Sequence, residues 1–99
     1  MTSFFLFGSY TRDALDGIDA DRTKRAEEVI SGYGGKLHSV YALLGVHDIV
    51  MIADLPGVPE ALQVSITLTR DTGITFSSCP AIPVLDFDRL AGEVVQNAG

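Results

Sequence analysis

The residues best suited to chemistry in this chain lie at one predicted turn, where His47 is followed by Asp48. An imidazole beside a carboxylate could act as a general base or anchor a ligand. Neighbouring residues of a strand point to opposite faces, however, so the two side chains share a pocket only if the strand has not yet begun. In the alternative interpretation, Asp48 accepts backbone N–H groups of the turn and His47 is solvated. The sequence leaves both interpretations open.

Two further side chains are candidates for ligand binding, Tyr41 on the strand before the turn and Arg25 within a predicted helix. Tyr41 could place its hydroxyl in a cavity between sheet and helices, or it packs in the core with that hydroxyl bonded to backbone. Arg25 could offer its guanidinium to Asp48 or to an anionic ligand, or it pairs along the helix surface with Glu28. The candidate ligand-binding residues are therefore Arg25, Tyr41, His47 and Asp48, and we assign no catalytic residue.

Metal and cofactor chemistry have little support in the sequence. His38 and His47 have no third ligand at a zinc-like spacing, so we expect no metal site. The glycines of residues 32–35 follow a helix, which is the reverse of the order in a phosphate-binding loop, and we expect no cofactor. Cys79 is the only cysteine, so an intrachain disulfide is excluded. We expect it to be a buried structural thiol in a cytoplasmic protein.

Composition narrows the class of protein further. The chain of 99 residues is 46% hydrophobic, as a folded domain requires, and we expect a single domain over residues 1–99. Its net charge is −6 and its basic residues are scattered, which argues against nucleic acid as a partner. No apolar run reaches the ~18 residues of a membrane span, and the first ten residues lack the basic start of a signal peptide. We expect no membrane partner.

Alternating and helical patterns predict the elements that position the candidate residues. Strands are predicted at residues 4–7, 35–43, 47–53 and 74–81, and helices at 13–18, 21–33 and 59–72 and after Asp86 or Asp88. Residues 62–69 alternate as a strand would. Pro59 and Glu60 at the start and Gly73 at the end favour a helix there instead.

The order of these elements predicts a fold and exposes a problem. Strand, helix, strand, strand, helix, strand and a trailing helix indicate an α+β, ferredoxin-like βαββαβ antiparallel sheet with a C-terminal helix. Right-handed crossovers place both internal helices on one face of the sheet. The first and third strands carry large apolar residues on both faces, and leaving one face wet would forgo several kcal/mol, at ~25 cal/mol per Å². We therefore expect a second subunit to cover that face.

Short motifs along most of the chain resemble a known family. They are Tyr10-Thr11, Gly17-Ile18, Lys24-Arg25-Ala26, Gly34-Gly35-Lys36, Tyr41, Leu44-Gly45, His47-Asp48 and the apolar stripe that begins at Phe87. Together they resemble the GYD-domain family, in which a tyrosine usually stands where this chain has His47. The resemblance implies the ferredoxin-like fold in its dimeric α/β-barrel form and a helix over residues 59–72. Relatives that share the barrel include cofactor-free oxygenases, small-molecule sensing domains and haem enzymes, which is a likeness of fold alone.

These observations lead to one expected function and two alternatives. We expect a homodimer or higher even oligomer that binds a small molecule or partner in a cavity between sheet and helices. The first alternative is a cofactor-free barrel-type enzyme, oxygenase- or isomerase-like, that acts on an aromatic or polyketide-like substrate through Tyr41, His47 and Arg25. The second is an interaction module that docks through its C-terminal helix. A cavity with at least two convergent ionisable groups separates the enzyme from the binding domain.

Overall fold

The computed structural model describes residues 1–12, 15 and 21–98, and the elements follow the predicted order. The strands are β1 (Thr2–Ser9), β2 (Lys36–Ala42), β3 (Ile49–Leu55) and β4 (Thr75–Ala81). The helices are α1 (Arg22–Gly32), α2 (Val58–Thr72) and α3 (Val84–Ala98). The short helical piece predicted at residues 13–18 lies outside the described residues except for Leu15, whose N–H donates to the Thr11 carbonyl at 3.0 Å.

The strands form one antiparallel sheet in the order β2-β3-β1-β4. β1 lies at the centre, where Phe5 is opposite Ile52 of β3 on one side and Cys79 of β4 on the other. The strands β2 and β4 are the edges. This arrangement is the ferredoxin-like α+β fold, and the prediction of fold class is confirmed.

One face of the sheet carries the core, because the apolar sides of α1 and α2 pack against it. Phe4 and Leu6 of β1 are almost fully buried there. The same cluster holds Met51, Ala53 and Leu55 of β3, Ala26 and Ile30 of α1, and Ala61, Val64 and Leu68 of α2. Residues 61, 64, 65 and 68 are the buried positions of α2, a spacing of three and four that a strand could not produce. The predicted helix over this segment is confirmed.

The opposite face, which we call the outer sheet face, is formed by Phe5 and Phe7 of β1 with Val50 and Ile52 of β3. Phe5, Phe7 and Ile52 are half-buried, and only Val50, between neighbouring strands, is buried. No helix of the described part of the chain packs over this face. Phe5 and Phe7 in the middle of β1 are therefore apolar without a cover.

Strict alternation along β2, which the sequence suggested, is wrong. The register against β3 shifts between Leu37 and Ser39, which leaves His38 as the extra residue of a bulge. Leu37 and Val40 consequently both pack against the core. Tyr41 lies opposite Val50 on the outer sheet face and is 56% exposed, so it does not enter the core.

The last helix begins earlier than the sequence indicated and stands apart from the rest of the molecule. α3 starts at Val84, and the Pro83 carbonyl accepts the N–H groups of Asp86 and Phe87 at 3.0 and 3.2 Å. The predicted start at a capping Asp86 or Asp88 is therefore wrong. Residues 84–97 are all exposed. None of the helices that the structure describes is long and apolar enough to cross a bilayer.

Candidate functional site

Asp48 is held by backbone at the corner where the β2–β3 turn meets the end of β1. Its N–H donates to the Gly8 carbonyl at 2.9 Å, and its own carbonyl accepts the N–H of Leu43 at 2.8 Å. Its carboxylate Oδ2 accepts the backbone N–H of Tyr10 at 2.8 Å. Gly45, at a φ of 142°, supplies the backbone conformation that the turn needs. Asp48 thus fastens the turn to β1.

His47 lies at the same corner on the other side of the chain. Its ring packs against Phe7 with centroids 5.0 Å apart and planes at 33°, so it adjoins the outer sheet face. Its Nδ1 is buried and has no hydrogen-bond partner within the described ranges. His47 is therefore half-buried rather than solvated, and the structure separates its ring from the Asp48 carboxylate, which is bound to Tyr10.

Four residues were candidates for ligand binding, and the structure distributes them over three places. Tyr41 and His47 lie along the outer sheet face, and Asp48 fastens the turn. Arg25 is exposed on α1, which packs on the other side of the sheet. A shared ligand-binding role for the four residues stays a prediction.

A different residue, Arg22, lines a pocket between the sheet and both core helices. The space between the pocket walls is about 320 Å³ when the open mouth is included. Only about 20 Å³ can hold the centre of a water molecule. Its lining is largely apolar and comprises Arg22, Thr23, Ala26, Val40, Ile49, Met51, Leu68, Thr72, Ile74 and Phe76. The space open to a water centre is far smaller than the ~300–1,000 Å³ of ligand pockets, so the pocket as it stands holds about one water molecule.

The guanidinium of Arg22 is only partly satisfied. Its Nη2 donates to the Tyr10 hydroxyl at 3.0 Å, and its Cζ lies 4.9 Å from the centre of the Tyr10 ring. Its Nη1 is buried with no hydrogen-bond partner among residues 1–12, 15 and 21–98. A charged donor group therefore adjoins an apolar pocket with hydrogen-bonding capacity unused.

Arg22 was not among the predicted site residues, although the sequence carried a signal for it. It occupies the position four residues before the buried Ala26 and eight before the buried Ile30. A charged residue on the apolar stripe of a helix is turned towards the core, where an arginine is rare unless it is paired. The spacing of residues along α1 therefore indicated which side of the helix faces the core, but it did not reveal the pocket beside Arg22.

Two remaining polar features lie away from the pocket. On the far part of the sheet, Asp54 accepts hydrogen bonds from Ser3 Oγ at 2.9 Å and from His38 Nε2 at 2.7 Å. Cys79 is exposed on β4, so the prediction of a buried thiol is wrong; an edge strand with no cover on this face leaves it in solvent. No group of three or more metal-ligating side chains occurs in the described part of the chain.

Comparison with known proteins agrees with the observed fold. The sequence model for the GYD domain matches residues 4–91. No curated protein sequence matches the chain. Among solved structures, the leucine response regulatory protein LrpA of Mycobacterium tuberculosis is similar, with a TM-score of 0.61 and 13% identity. The match covers 83% of this chain and 51% of LrpA, so the likeness concerns the fold and about half of that protein. With nearly its whole length matched by the family model, the chain belongs to the GYD-domain family.

Proposed function

We propose that this GYD domain is a homo-oligomer that binds a small molecule in the pocket between its sheet and core helices. The ligand would have an apolar body and a carboxylate or carbonyl oxygen at one end. The observation that carries this proposal is the buried, unpartnered Nη1 of Arg22 beside an apolar lining.

The energetics of that nitrogen favour an incoming acceptor. A buried donor without a partner costs about 1–3 kcal/mol, and more when the group is charged. A ligand oxygen at Nη1 would remove this cost and form a charge-assisted hydrogen bond. The apolar lining supplies contact area for the rest of the molecule. Because little space is open even to water, a ligand larger than water requires side chains at the mouth to move.

Binding fits the pocket better than catalysis does. Among the described lining residues, Arg22 is the ionisable one, and the others are apolar or threonine. Tyr41, His47 and Arg25, the participants considered for a cofactor-free enzyme, do not line it. General acid–base chemistry needs a second positioned group within hydrogen-bonding reach of the substrate. The enzyme alternative therefore has no observation in its favour.

Self-association is supported by the outer sheet face. Phe5, Phe7 and Ile52 form an apolar surface that the chain itself leaves half-exposed, as expected of a domain whose sheet is covered by a second copy. A second copy placed against this face would bury the apolar surface. A reducing, cytoplasmic setting is consistent with the free thiol of Cys79.

Native mass spectrometry of the purified protein tests both parts of the proposal. We expect an even-numbered oligomer with added mass from a bound small molecule that is lost on collisional activation. A bare monomer would overturn the self-association. Ligand binding alone would be overturned by an oligomer that never carries added mass and whose Tm neither sodium benzoate nor benzyl alcohol raises.

Two variants on the same helix then locate the site. Arg22→Met removes the charged donor at the pocket, whereas Arg25→Met removes an exposed arginine one turn later. We expect sodium benzoate to raise the Tm of the wild type and of Arg25→Met, and benzyl alcohol to do so less. At about 100 times Kd the stabilisation would be about 2.7 kcal/mol. Equal benzoate shifts in Arg22→Met and the wild type would contradict the assignment to Arg22.

A further inference from the structure

The helix α3 has an apolar side that touches little of its own chain. The exposed large hydrophobic residues of α3 are Val84, Leu85, Phe87, Leu90, Val94 and Val95. At 100° per residue, all but Leu85 fall on one side of the helix, whereas Arg89, Glu93 and Gln96 lie on the other. We call this side, Val84 to Val95, the apolar stripe of α3. A surface of this kind marks a docking element.

Such a helix does not persist in water by itself. Isolated helices of ~12–15 residues are marginal even when rich in alanine. Gly92 lies in the middle of α3 and lowers its intrinsic stability by about 1 kcal/mol relative to alanine. The ion pair of Arg89 with Glu93, 3.0 Å apart and exposed, adds only a few tenths of a kcal/mol. The stability of α3 must therefore come from packing of its stripe against another surface.

The exposed area of the chain matches a missing partner of its own kind. The chain exposes 6515 Å², whereas a compact monomer of 10.6 kDa exposes about 5,500 Å². The excess of about 1,000 Å² is close to the ~800 Å² that each subunit buries in an interface of standard size. An interface of ordinary extent would account for the whole excess.

The same chain also presents the complementary surface. α3 leaves the body beside the outer sheet face, where Phe5, Ile52, Ala81, Ile82 and Pro83 line a shallow apolar depression of roughly 250 Å³ together with Ser3. The stripe and the outer sheet face are thus two uncovered apolar surfaces close to each other in the fold. A two-fold axis between two copies would bring the apolar stripe of each copy to the outer sheet face of the other, so that two stripes and two faces would be buried.

We infer that α3 is an exchanged arm: the apolar stripe of each copy lies on the outer sheet face of a second copy. The inference rests on the proposed self-association, and it adds α3 as the element that each copy places on the other. A second copy is the occupant because one chain supplies both surfaces in equal number and its excess exposed area is close to one subunit's share of a standard interface. The polar side of α3, with Arg89 and Glu93, then faces solvent.

A matched pair of variants tests the role of the stripe. Leu90→Glu and Gln96→Glu add the same charge to α3, the first within the stripe and the second on the polar side. We expect Leu90→Glu to raise the dimer Kd about tenfold or more, the size of effect typical for a buried interface side chain. Gln96→Glu should leave it within about twofold, as rim positions do. Sedimentation equilibrium gives the constants, and far-UV circular dichroism confirms that the sheet and core helices are intact.

Cross-linking identifies the surface that the arm meets. Cys79 lies opposite Phe5 on the side of the outer sheet face and is exposed, so it serves as a native reporter. A chain with Cys79→Ser and Leu90→Cys is mixed with the wild type and treated with a short bismaleimide. We expect a covalent link between positions 79 and 90 of different chains, and a weaker one when Gln96→Cys replaces Leu90→Cys.

The outcomes separate the arm from the self-association it assumes. A wild type that stays monomeric at every concentration overturns both. A stable dimer that Leu90→Glu does not weaken, or that yields no link between positions 79 and 90, overturns the exchanged arm and leaves self-association by the sheet standing.

Discussion

Among the residues that the structure describes, Asp54 has the most clearly perturbed ionisation. The hydrogen bond from His38 contributes most, and the one from Ser3 comes second; both stabilise the carboxylate and hold the pKa of Asp54 below the ordinary value of 3.8. Desolvation acts in the opposite direction, but the group is not buried deeply enough for it to outweigh the hydrogen bonds. These three residues join β1, β2 and β3 on the side of the outer sheet face. The bulge that places His38 beside Asp54 thus links the edge strand to the centre of the sheet.

This lowered pKa has a consequence for stability in acid. The unfolded chain binds the proton of Asp54 at a higher pH than the folded chain does, so the stabilisation is present above pH 3.8 and declines as the pH falls through the lowered pKa. We expect the Tm of Asp54→Asn to fall less steeply between about pH 5 and pH 3 than that of the wild type. Asp71→Asn removes the same charge at an exposed position of α2 and serves as the control. Parallel curves for Asp54→Asn and the wild type would contradict the linkage.

The predicted site residues show where single-residue reasoning reaches its limit. Asp48 is held by backbone groups, which the alternative interpretation of the turn described. The position of Tyr41 depended on whether β2 alternates strictly, and the bulge at His38 reversed the face on which it lies. A bulge has no reliable signature in the types of neighbouring residues, so the pattern could not reveal it. The pocket at Arg22 depends on three elements meeting, which no single stretch of sequence describes.

At the scale of elements, the end of β1 is fitted closely to the strands and loop beside it. A Cβ built on Gly8 would lie 2.6 Å from Ile49 Cγ2, 2.8 Å from Phe76 Cε1 and 2.9 Å from Ile74 Cγ2. All three distances are far shorter than van der Waals contact, and these side chains also line the Arg22 pocket. Glycine at this position lets the strand end and the pocket wall approach each other.

We therefore expect Gly8→Ala to lower the free energy of unfolding by about 1–3 kcal/mol, the usual cost of overpacking. Urea denaturation measures it, with Gly32→Ala as the control because a Cβ there meets nothing within 4 Å. The control, at the end of α1, should not lower stability and gains up to about 1 kcal/mol from helix propensity. Equal midpoints for the two variants would show that the wall adjusts to the added methyl group.

The elements themselves were largely predictable, for identifiable reasons. α2 could be recognised against its alternating pattern because Pro59 and Gly73 mark its ends, and Gly73 adopts a φ of 77° as a left-handed cap. The start of α3 was missed because the chain closes its first turn with the carbonyl of Pro83 and needs no aspartate cap. The types of residue at its two ends thus revealed α2. They did not reveal the start of α3, which is determined by backbone hydrogen bonds to the Pro83 carbonyl.

On the scale of the whole molecule, the chain is more extended than its length requires. The radius of gyration is 15.7 Å, against about 12.6 Å for a compact domain of this length. The longest dimension is 56 Å and the shortest 18 Å. The exposed helix α3 and the uncovered outer sheet face are the two surfaces for which a second copy is proposed.

If folding is linked to association, the Tm depends on protein concentration. We expect the wild type to melt at a higher temperature as its concentration rises from micromolar to millimolar. Phe5→Glu places a charge on the outer sheet face and should abolish this dependence, whereas Ser31→Glu adds the same charge to the exposed side of α1 and should not. A wild-type Tm that is constant over this range would argue against an obligate dimer.

The two edges of the sheet carry a further consequence. An open edge strand offers unpaired N–H and C=O groups to any passing chain and is the usual starting point of β-aggregation and fibrils. Pro80 removes one N–H from β4, and the register shift between Leu37 and Ser39 distorts β2. Growth of the sheet by addition of strands is therefore obstructed on both sides. The proposed association of copies would therefore use faces, which close after a fixed number of subunits, and not edges, which never close.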